Sequence, residues 1–272
     1  MTFQNCKLTL IFACFFLICA CSCNKPMNMK QHKNLIIVAH RGGAGLGMEN
    51  SLSCIEKGIE AGADMIEIDI HLTADNQVVV CHDRKVNRTT NGKGKIAKMT
   101  LAEIQQLHLL DSDGKPSDET MPTLEQVLEL CKGRCGMLIE IKKRKGLYEG
   151  IETLADSLVK QYGMQDQVVF QSFNDDVLFK LHELDPTLRL EKLIFYKNGG
   201  HVFDGTYSAY SPEKYDFVAS FNICRFFVTQ CFIRNIHETS KEVKVWTLDK
   251  PNKVPAGVDG IITNRPDLFQ KQ

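Results

Sequence analysis

The chain has 272 residues, of which 43% are hydrophobic, and lysine plus arginine equal aspartate plus glutamate at 33 each. This apolar content supports one sizeable core, and single α/β barrels commonly contain about 250 residues, so one domain is expected after the N-terminal segment. The balanced charge gives no electrostatic reason to expect a nucleic-acid partner, and we predict no protein partner.

The N-terminal segment is predicted to direct export. Lys7 precedes an uncharged apolar run over residues 8–20, which is too short to span a bilayer as a helix and is typical of a secretory signal. The sequence ICAC at 18–21 resembles a bacterial lipobox, whose last cysteine becomes lipidated. A cleaved signal without a lipid, or a short anchor, is the alternative. We predict a lipid-anchored protein of the bacterial cell envelope, with a signal peptide at 1–20, lipidation at Cys21 and a polar tether at 21–34.

Strand and helix patterns alternate through the rest of the chain. An apolar run at 35–40 is followed by a helix that Asn50 or Ser51 caps and that Gly62 ends, and further apolar runs follow. Such alternation predicts a parallel sheet covered by helices. We expect a TIM (β/α)8 barrel over 35–272. Nine strand patterns compete for its eight positions, and the pattern at 217–223 is the weakest.

Residues 84–121 interrupt this rhythm after the third strand pattern. They are polar and glycine-bearing, with one short helical pattern at 101–107. Long excursions from a compact fold are usually functional or flexible. We therefore predict a small insertion at about 84–121.

Carboxylates interrupt the apolar strands at intervals of two residues. Residues two apart share one face of a strand, so Glu67 projects with Asp69, and Glu140 projects with Lys142. Buried carboxylates are costly unless they are paired or bind a metal, and their hard oxygen atoms suit Ca²⁺ or Mg²⁺. We predict one such divalent cation, bound by Glu67, Asp69 and Glu140. A buried ion-pair network with Lys142 or Arg41 is the alternative.

Two histidines end strand patterns next to this acidic strand. His40 ends one pattern and His82 another, and we expect them on opposite sides of the strand that carries Glu67. Imidazole can accept or donate a proton near neutral pH, so two histidines beside a carboxylate cluster suit general acid–base catalysis. The sequence leaves open which histidine is the acid, and whether the nucleophile is water or a neighbouring hydroxyl of the substrate.

Eight short motifs, taken in their order along the chain, resemble the signature of the glycerophosphodiester phosphodiesterase family. No single piece is specific, but together they keep the family's order over nearly the whole predicted mature chain. The matching pieces are HRG at 40–42, EN at 49–50, ExD at 67–69, HD at 82–83, ExK at 140–142, QSF at 171–173, WT at 246–247 and DGIIT at 259–263.

The resemblance implies a metal-dependent enzyme that hydrolyses glycerophosphodiesters to sn-glycerol 3-phosphate and an alcohol, with His40 and His82 as the acid–base pair. It also implies phosphate contacts for Arg41 and Lys142, and a place for Trp246 beside the glycerol pocket. Packing at the rim is the alternative for Trp246. The insertion at 84–121 would help to shape the substrate cleft, or would be a solvated lid without a role in selectivity.

Two other functions remain open at this point. One is a phospholipase of the same barrel type that acts on intact lipids, which would need an exposed apolar rim at the mouth of the barrel. The other is a lipoprotein without catalytic activity that binds phosphorylated ligands. Both catalytic histidines and all three carboxylates are present, which favours an enzyme.

Overall fold

The computed structural model describes residues 35–143, 146–198, 201–203, 207–209 and 213–269. The predicted signal peptide, Cys21 and the tether lie outside these ranges. Within them, no helix combines the length and the apolar character that crossing a bilayer requires.

The described part of the chain alternates strands and helices, with short 3-10 turns between them. In chain order the elements are β1 (Ile36–Ala39), α1 (Leu52–Glu60), β2 (Met65–Leu72), β3 (Val78–Val80), α2 (Leu101–Ile104), β4 (His108–Leu110), β5 (Pro116–Thr120), α3 (Leu124–Cys131), β6 (Gly136–Ile141), α4 (Ile151–Gln161), β7 (Val168–Ser172), α5 (Asp175–Leu184), β8 (Leu190–Ile194), β9 (Tyr196–Asn198), β10 (His201–Phe203), β11 (Tyr207–Ala209), β12 (Ser220–Cys224), α6 (Gln230–His237), β13 (Glu242–Trp246) and β14 (Gly260–Thr263).

Eight parallel strands close into a barrel, which confirms the predicted fold. Their order is β1, β2, β6, β7, β8, β12, β13 and β14, and β14 pairs with β1 to close the ring. Val38 on β1 lies opposite Met65 of β2 on one side and Ile262 of β14 on the other. The strands are buried on both faces, as expected for a parallel sheet between a packed interior and a layer of helices.

Side-chain caps set where the outer helices begin. Ser51 accepts a hydrogen bond from the backbone N–H of Cys54 and starts α1. Thr123 and Gln126 form a reciprocal capping box that starts α3, so the proline at 122 precedes the helix and does not begin it. Between β13 and β14 the chain forms only a 3-10 turn at Pro251–Lys253, in agreement with the proline-rich sequence there.

Two expectations about individual strands are wrong. β3 is antiparallel to β2 and lies outside the barrel, whereas the strand pattern judged weakest forms β12, a full barrel strand. A short apolar run has the same periodicity in either direction, so the sequence alone could not assign the direction of β3. β6 occupies one edge of β2, so β1 and β3 both pair along the other edge. His40 and His82 therefore approach the acidic strand from the same side.

The insertion at 84–121 forms a small apolar cluster together with β3 and Cys81. It contains the β4–β5 hairpin and α2, and it packs against β3. The buried residues of this cluster are Val79, Cys81, Val86, Ile96, Ile104 and Met121. The insertion is thus a folded element attached beside the C-terminal mouth of the barrel.

Candidate active site

Three predicted carboxylates meet at the C-terminal end of the barrel. Glu67 and Asp69 lie on β2, and the register of the sheet places Glu140 of β6 directly beside Asp69. One ligand oxygen from each lies within 4.8 Å of the others, and the residues are 1%, 0% and 6% exposed. This cluster confirms that the two strands bring their carboxylates together.

The loop after β1 donates a hydrogen bond to the carboxylate of Glu67. The backbone N–H of Arg41 donates to Glu67 Oε2 at 2.7 Å, and Gln171 Nε2 lies 3.4 Å from Glu67 Oε1. Arg41 adopts a left-handed conformation, φ 52°, which is uncommon for a residue with a side chain. Strained backbone of this kind persists where the surrounding structure fixes it, often at functional sites.

Two cations already contact the cluster but do not neutralise it. Lys142 Nζ lies 2.7 Å from Glu140 Oε1 and 3.0 Å from Asp69 Oδ1, and Arg41 Nε lies 3.9 Å from Asp69 Oδ2. Burial, then repulsion by Asp69 and Glu140, raises the pKa of Glu67 well above its usual value. Burial also raises the pKa of Glu140 to about 7, although Lys142 opposes this. The predicted ion-pair network is therefore present. Its two cations, Lys142 and Arg41, do not balance the negative charges of three ionised carboxylates.

The donor set fits a hard divalent cation. Two buried polar atoms at the site, Arg41 Nε and Asn50 Oδ1, make no hydrogen bond with any residue that the structure describes. Buried polar groups are normally satisfied, so unpaired atoms beside a carboxylate cluster indicate a place for an ion or a polar ligand. Glu67, Asp69 and Glu140 are the residues that would bind the metal.

His40 is oriented by a hydrogen-bonded pair from the other end of the chain. Its Nδ1 lies 2.7 Å from Asn264 Oδ1, and Asn264 Nδ2 donates to Asp249 Oδ2 at 3.0 Å. Because Asp249 can only accept, it directs the amide oxygen of Asn264 towards His40, so Nδ1 carries the proton and Nε2 is left with a lone pair. Burial, with the charge of Arg41, lowers the pKa of His40 to about 4. The imidazole is neutral near pH 7.

His82 has a charged partner instead. Its Nδ1 lies 2.8 Å from Asp83 Oδ1, and the backbone oxygen of His82 accepts a hydrogen bond from His71 Nε2 at 3.2 Å. Burial lowers the pKa of His82, and the nearby carboxylate of Asp69 opposes that shift. Asp69 acts in the same sense on His40, so both imidazoles lie within the field of the acidic cluster.

Glu49 binds the side chain of Arg41 and is bound in turn by a residue that sequence reasoning missed. Arg41 Nη1 donates to Glu49 Oε1 at 3.0 Å. Arg88, from the insertion, donates from Nη1 and Nη2 to the two oxygens of the same carboxylate at 2.7 Å each. Asn264 and Asp249 were also missed. Asn264 directly follows the matched DGIIT piece, but no sequence signal pointed to Arg88 or Asp249.

Trp246 lies at the mouth within an aromatic cluster. Its Nε1 donates to the backbone oxygen of Asn222 at 2.9 Å, and its ring packs edge-on against Phe173 and Phe195 at centroid distances of 5.7 and 5.2 Å. Phe226 and Phe227, just after β12, are 73% and 46% exposed. The part of the rim that follows β7, β8, β12 and β13 is therefore apolar.

A buried polar chain leads from the acidic cluster down the inside of the barrel. Gln171 Oε1 accepts from Asn222 Nδ2, which also donates to Glu191 Oε2, both at 2.8 Å. Glu191 Oε1 pairs with Lys244 Nζ at 2.6 Å, and both residues are almost fully buried. Lys244 has room because Gly260 lies opposite it on β14, where a Cβ atom would come within 3.1 Å of the lysine stem.

The barrel strands bring three carboxylates and two oriented imidazoles to their C-terminal ends, where the active sites of (β/α)8 enzymes lie, so the fold and the site define a barrel enzyme. The chain belongs to the glycerophosphoryl diester phosphodiesterase family, which matches residues 40–268. This confirms the family that the ordered motifs indicated.

The chain is similar to known proteins over most of its own length and of theirs. The chain is 34% identical over 241 residues to a glycerophosphodiester phosphodiesterase of Caldanaerobacter subterraneus, covering 86% of this chain and 96% of that protein. It is 30% identical over 277 residues to a glycerophosphodiester phosphodiesterase of Bacillus subtilis, covering 94% and 92%. Among solved structures, a phosphodiesterase of Oleispira antarctica in complex with the product sn-glycerol-3-phosphate superposes with a TM-score of 0.75 at 26% identity, covering 86% of this chain and 94% of that one.

Proposed function

We propose that the protein hydrolyses glycerophosphodiesters to sn-glycerol 3-phosphate and a free alcohol, with one divalent cation, Ca²⁺ or Mg²⁺, bound by Glu67, Asp69 and Glu140. The observation that carries this proposal is the cluster of three buried carboxylates within 4.8 Å, in whose field both imidazoles lie. Family membership and the product bound to the Oleispira relative support the substrate class. When bound, such a cation takes up a phosphate oxygen and offsets the charge that develops in the transition state.

The two histidines differ in their partners, and this difference suggests their roles. His40 is neutral near pH 7, with its free lone pair on Nε2, so it suits removal of a proton from the nucleophile, either water or a neighbouring hydroxyl of the substrate. His82 has the carboxylate of Asp83 at Nδ1, which stabilises the imidazolium form. His82 therefore suits protonation of the leaving alkoxide.

Arg41 and Lys142 would bind the phosphate. Arg41 offers a planar fork of donors beside Asp69, and its Nε makes no hydrogen bond among the described residues. Lys142 contributes a point charge between Asp69 and Glu140. Trp246 and the adjacent phenylalanines would form the wall beside the glycerol moiety.

The exposed aromatic rim supports a second candidate function. Phe195, Phe226 and Phe227 are 40%, 73% and 46% exposed, and all three follow strands that end at the mouth. Apolar rims of this kind suit substrates that carry acyl chains. A phospholipase activity on intact lipids is therefore the alternative that the structure favours over a non-catalytic phospholigand-binding protein.

We also propose that the protein is exported and held in the cell envelope by a lipid on Cys21. The chain enters β1 at the N-terminal end of the barrel, opposite the mouth, so a tether at 21–34 would join the face away from the site. Radiolabelled palmitate incorporated into the wild type but not into Cys21→Ala would support the anchor. Equal labelling of both proteins, or of neither, would refute it.

One assay panel separates the candidate functions. Purified protein is incubated with glycerophosphocholine, glycerophosphoethanolamine or intact phosphatidylcholine, with Ca²⁺, with Mg²⁺ or with EDTA. Release of glycerol 3-phosphate that EDTA abolishes is the expected result. Cleavage of intact lipid alone would establish the phospholipase, and binding of glycerol 3-phosphate without any turnover would establish the non-catalytic function.

A further inference from the structure

We infer that Arg88, which belongs to the insertion and not to the barrel, is a positioning residue that orients His82 and Arg41 together. The inference rests on the proposed function, because it assigns a role in that reaction. It makes the insertion part of the active site and not only a lid beside it.

The geometry of Arg88 is that of a fork shared between two carboxylates. Its Nη1 and Nη2 donate to Glu49 Oε2 and Oε1, each at 2.7 Å, and its Nε donates to Asp83 Oδ2, also at 2.7 Å. Three donors of one guanidinium are thus used at short distance. A lysine offers a single ammonium in place of this planar set and could not keep all three contacts.

Each of these two carboxylates also accepts a hydrogen bond from a different functional group. Asp83 uses its second oxygen to accept from His82 Nδ1 at 2.8 Å, while Glu49 accepts from Arg41 Nη1 at 3.0 Å. One carboxylate therefore links Arg88 to the imidazole that would donate the proton, and the other links it to the guanidinium that would bind the phosphate. Loss of Arg88 should free both at once.

The fold of the insertion determines where Arg88 lies. Arg88 ends a 3-10 turn that begins at Val86, and Val86 is fully buried in the apolar cluster that the insertion forms with β3. Thr90, also buried, donates from its hydroxyl to the Val86 oxygen at 2.8 Å and closes the turn. The turn is thus supported by packing, so the guanidinium is presented from a fixed backbone.

A plain surface salt bridge is the competing interpretation, and the chain offers a matched control for it. Exposed ion pairs generally contribute little to stability, and an ion pair of that kind would leave kcat and KM unchanged when removed. Arg134, in the turn after α3, makes a two-pronged ion pair with Glu56 of α1, with side-chain exposures of 39% and 37%, against 47% for Arg88. Arg134→Met removes a comparable pair far from the mouth.

The experiment measures kcat and KM for glycerophosphocholine in Arg88→Met, Arg88→Lys, Asp83→Asn, Glu49→Gln and Arg134→Met, with the melting temperature of each. Asp83→Asn should lower kcat about tenfold to 100-fold with little change in KM, because His82 loses its charged partner while Arg88 keeps both hydrogen bonds to Glu49. Glu49→Gln should mainly raise KM, together with the inhibition constant of glycerol 3-phosphate. Arg88→Met should show both effects, Arg88→Lys should recover only part of them, and Arg134→Met should show neither.

A double variant tests whether Arg88 acts through Asp83. Groups that act along one path are not additive, so Arg88→Met with Asp83→Asn should have a kcat within about twofold of Asp83→Asn alone. Losses that multiply would overturn the inference, as would wild-type kinetics in Arg88→Met, or a loss explained by a lowered melting temperature.

Failure of the proposed function gives a different result. If the wild type turns over no substrate in the panel, that function is refuted. Calorimetric measurement of glycerol 3-phosphate binding then tests only whether Arg88 positions Arg41. Weaker binding in Arg88→Met but not in Arg134→Met would support the positioning of Arg41. Equal binding in both would overturn it.

Discussion

The amide oxygen of Asn264 lies 2.7 Å from Nδ1 of His40, and Asp249 determines which end of that amide faces the imidazole. Asp249 also accepts from the backbone N–H of Asn264 at 2.7 Å and from the Thr263 hydroxyl at 3.0 Å, so the whole turn after β14 is fixed by one carboxylate. The tautomer of His40, and hence its ability to act as a base, depends on this arrangement.

Removing Asp249 should therefore impair His40 without touching the metal ligands. We expect Asp249→Ala to lower kcat by about tenfold to 100-fold, because the Asn264 amide can then turn and the imidazole is no longer aligned. Calcium or magnesium affinity should not change. Asp267→Ala, which removes a nearby carboxylate paired with Arg265, is the control and should retain activity. Equal losses in the two variants would show that Asp249 has no special role.

The two histidines should respond differently to the leaving group. His82→Ala should reduce turnover of glycerophosphocholine by at least about 100-fold, because the choline alkoxide needs a proton as it departs. With a p-nitrophenyl ester, whose leaving group needs no protonation, the loss should be much smaller. His40→Ala should lose activity on both substrates. Near-normal turnover of glycerophosphocholine by His82→Ala, in a variant that is still folded, would remove His82 from the mechanism.

Metal binding should compete with protons at the acidic cluster. The pKa of Glu140, raised to about 7, means that this carboxyl is protonated below that pH in the metal-free protein and must lose its proton before it can bind a cation. The dissociation constant for Ca²⁺ should therefore rise as the pH falls below about 7, by up to about tenfold per unit for each proton displaced. Calorimetry in two buffers of different ionisation enthalpy would measure the proton release.

Variants of the ligands sharpen this test. Glu67→Gln should raise the metal concentration needed for half-maximal binding, since it removes one of three charged ligands. Glu140→Gln should weaken binding and also reduce its pH dependence. A metal titration unchanged in Glu67→Gln would indicate that the carboxylates are structural, paired only with Lys142 and Arg41.

The ion pair inside the barrel should matter for stability. Lys244 and Glu191 are nearly inaccessible and lie 2.6 Å apart, so removing Lys244 leaves a buried carboxylate with only the Asn222 amide at 2.8 Å and Arg189 at 3.9 Å as partners. Lys244→Met should destabilise the protein by about 3–5 kcal/mol, whereas the double change with Glu191→Leu should recover most of that loss. Urea unfolding of the three proteins measures the difference. A single variant as stable as the wild type would show that the charge is compensated elsewhere, through Asn222 or solvent.

Much of the site could be read from local patterns. Glu67 with Asp69, and Glu140 with Lys142, lie two residues apart on apolar strands, and that spacing alone places each pair on one face. The order of short motifs then indicated the family. These properties are carried by neighbouring residues, so they are visible in the sequence without any knowledge of which strands pair.

What the sequence could not decide depended on partners far apart in the chain. His40 and Asn264 are separated by 224 positions, and Arg88 and Glu49 by 39. The direction of β3, and so the side from which His82 reaches the site, depends on hydrogen bonds to β2 that leave no trace in periodicity.

The sequence by itself thus determined the barrel class and the family, and it indicated the carboxylates and histidines of the candidate site. Only the tertiary structure decided how those groups are oriented. The residues that orient them are Asn264, Asp249, Arg88 and the buried, hydrogen-bonded side chains that follow Gln171. The physical reason is that strand periodicity is a local property of the backbone, whereas hydrogen-bond geometry is set only when distant segments pack together.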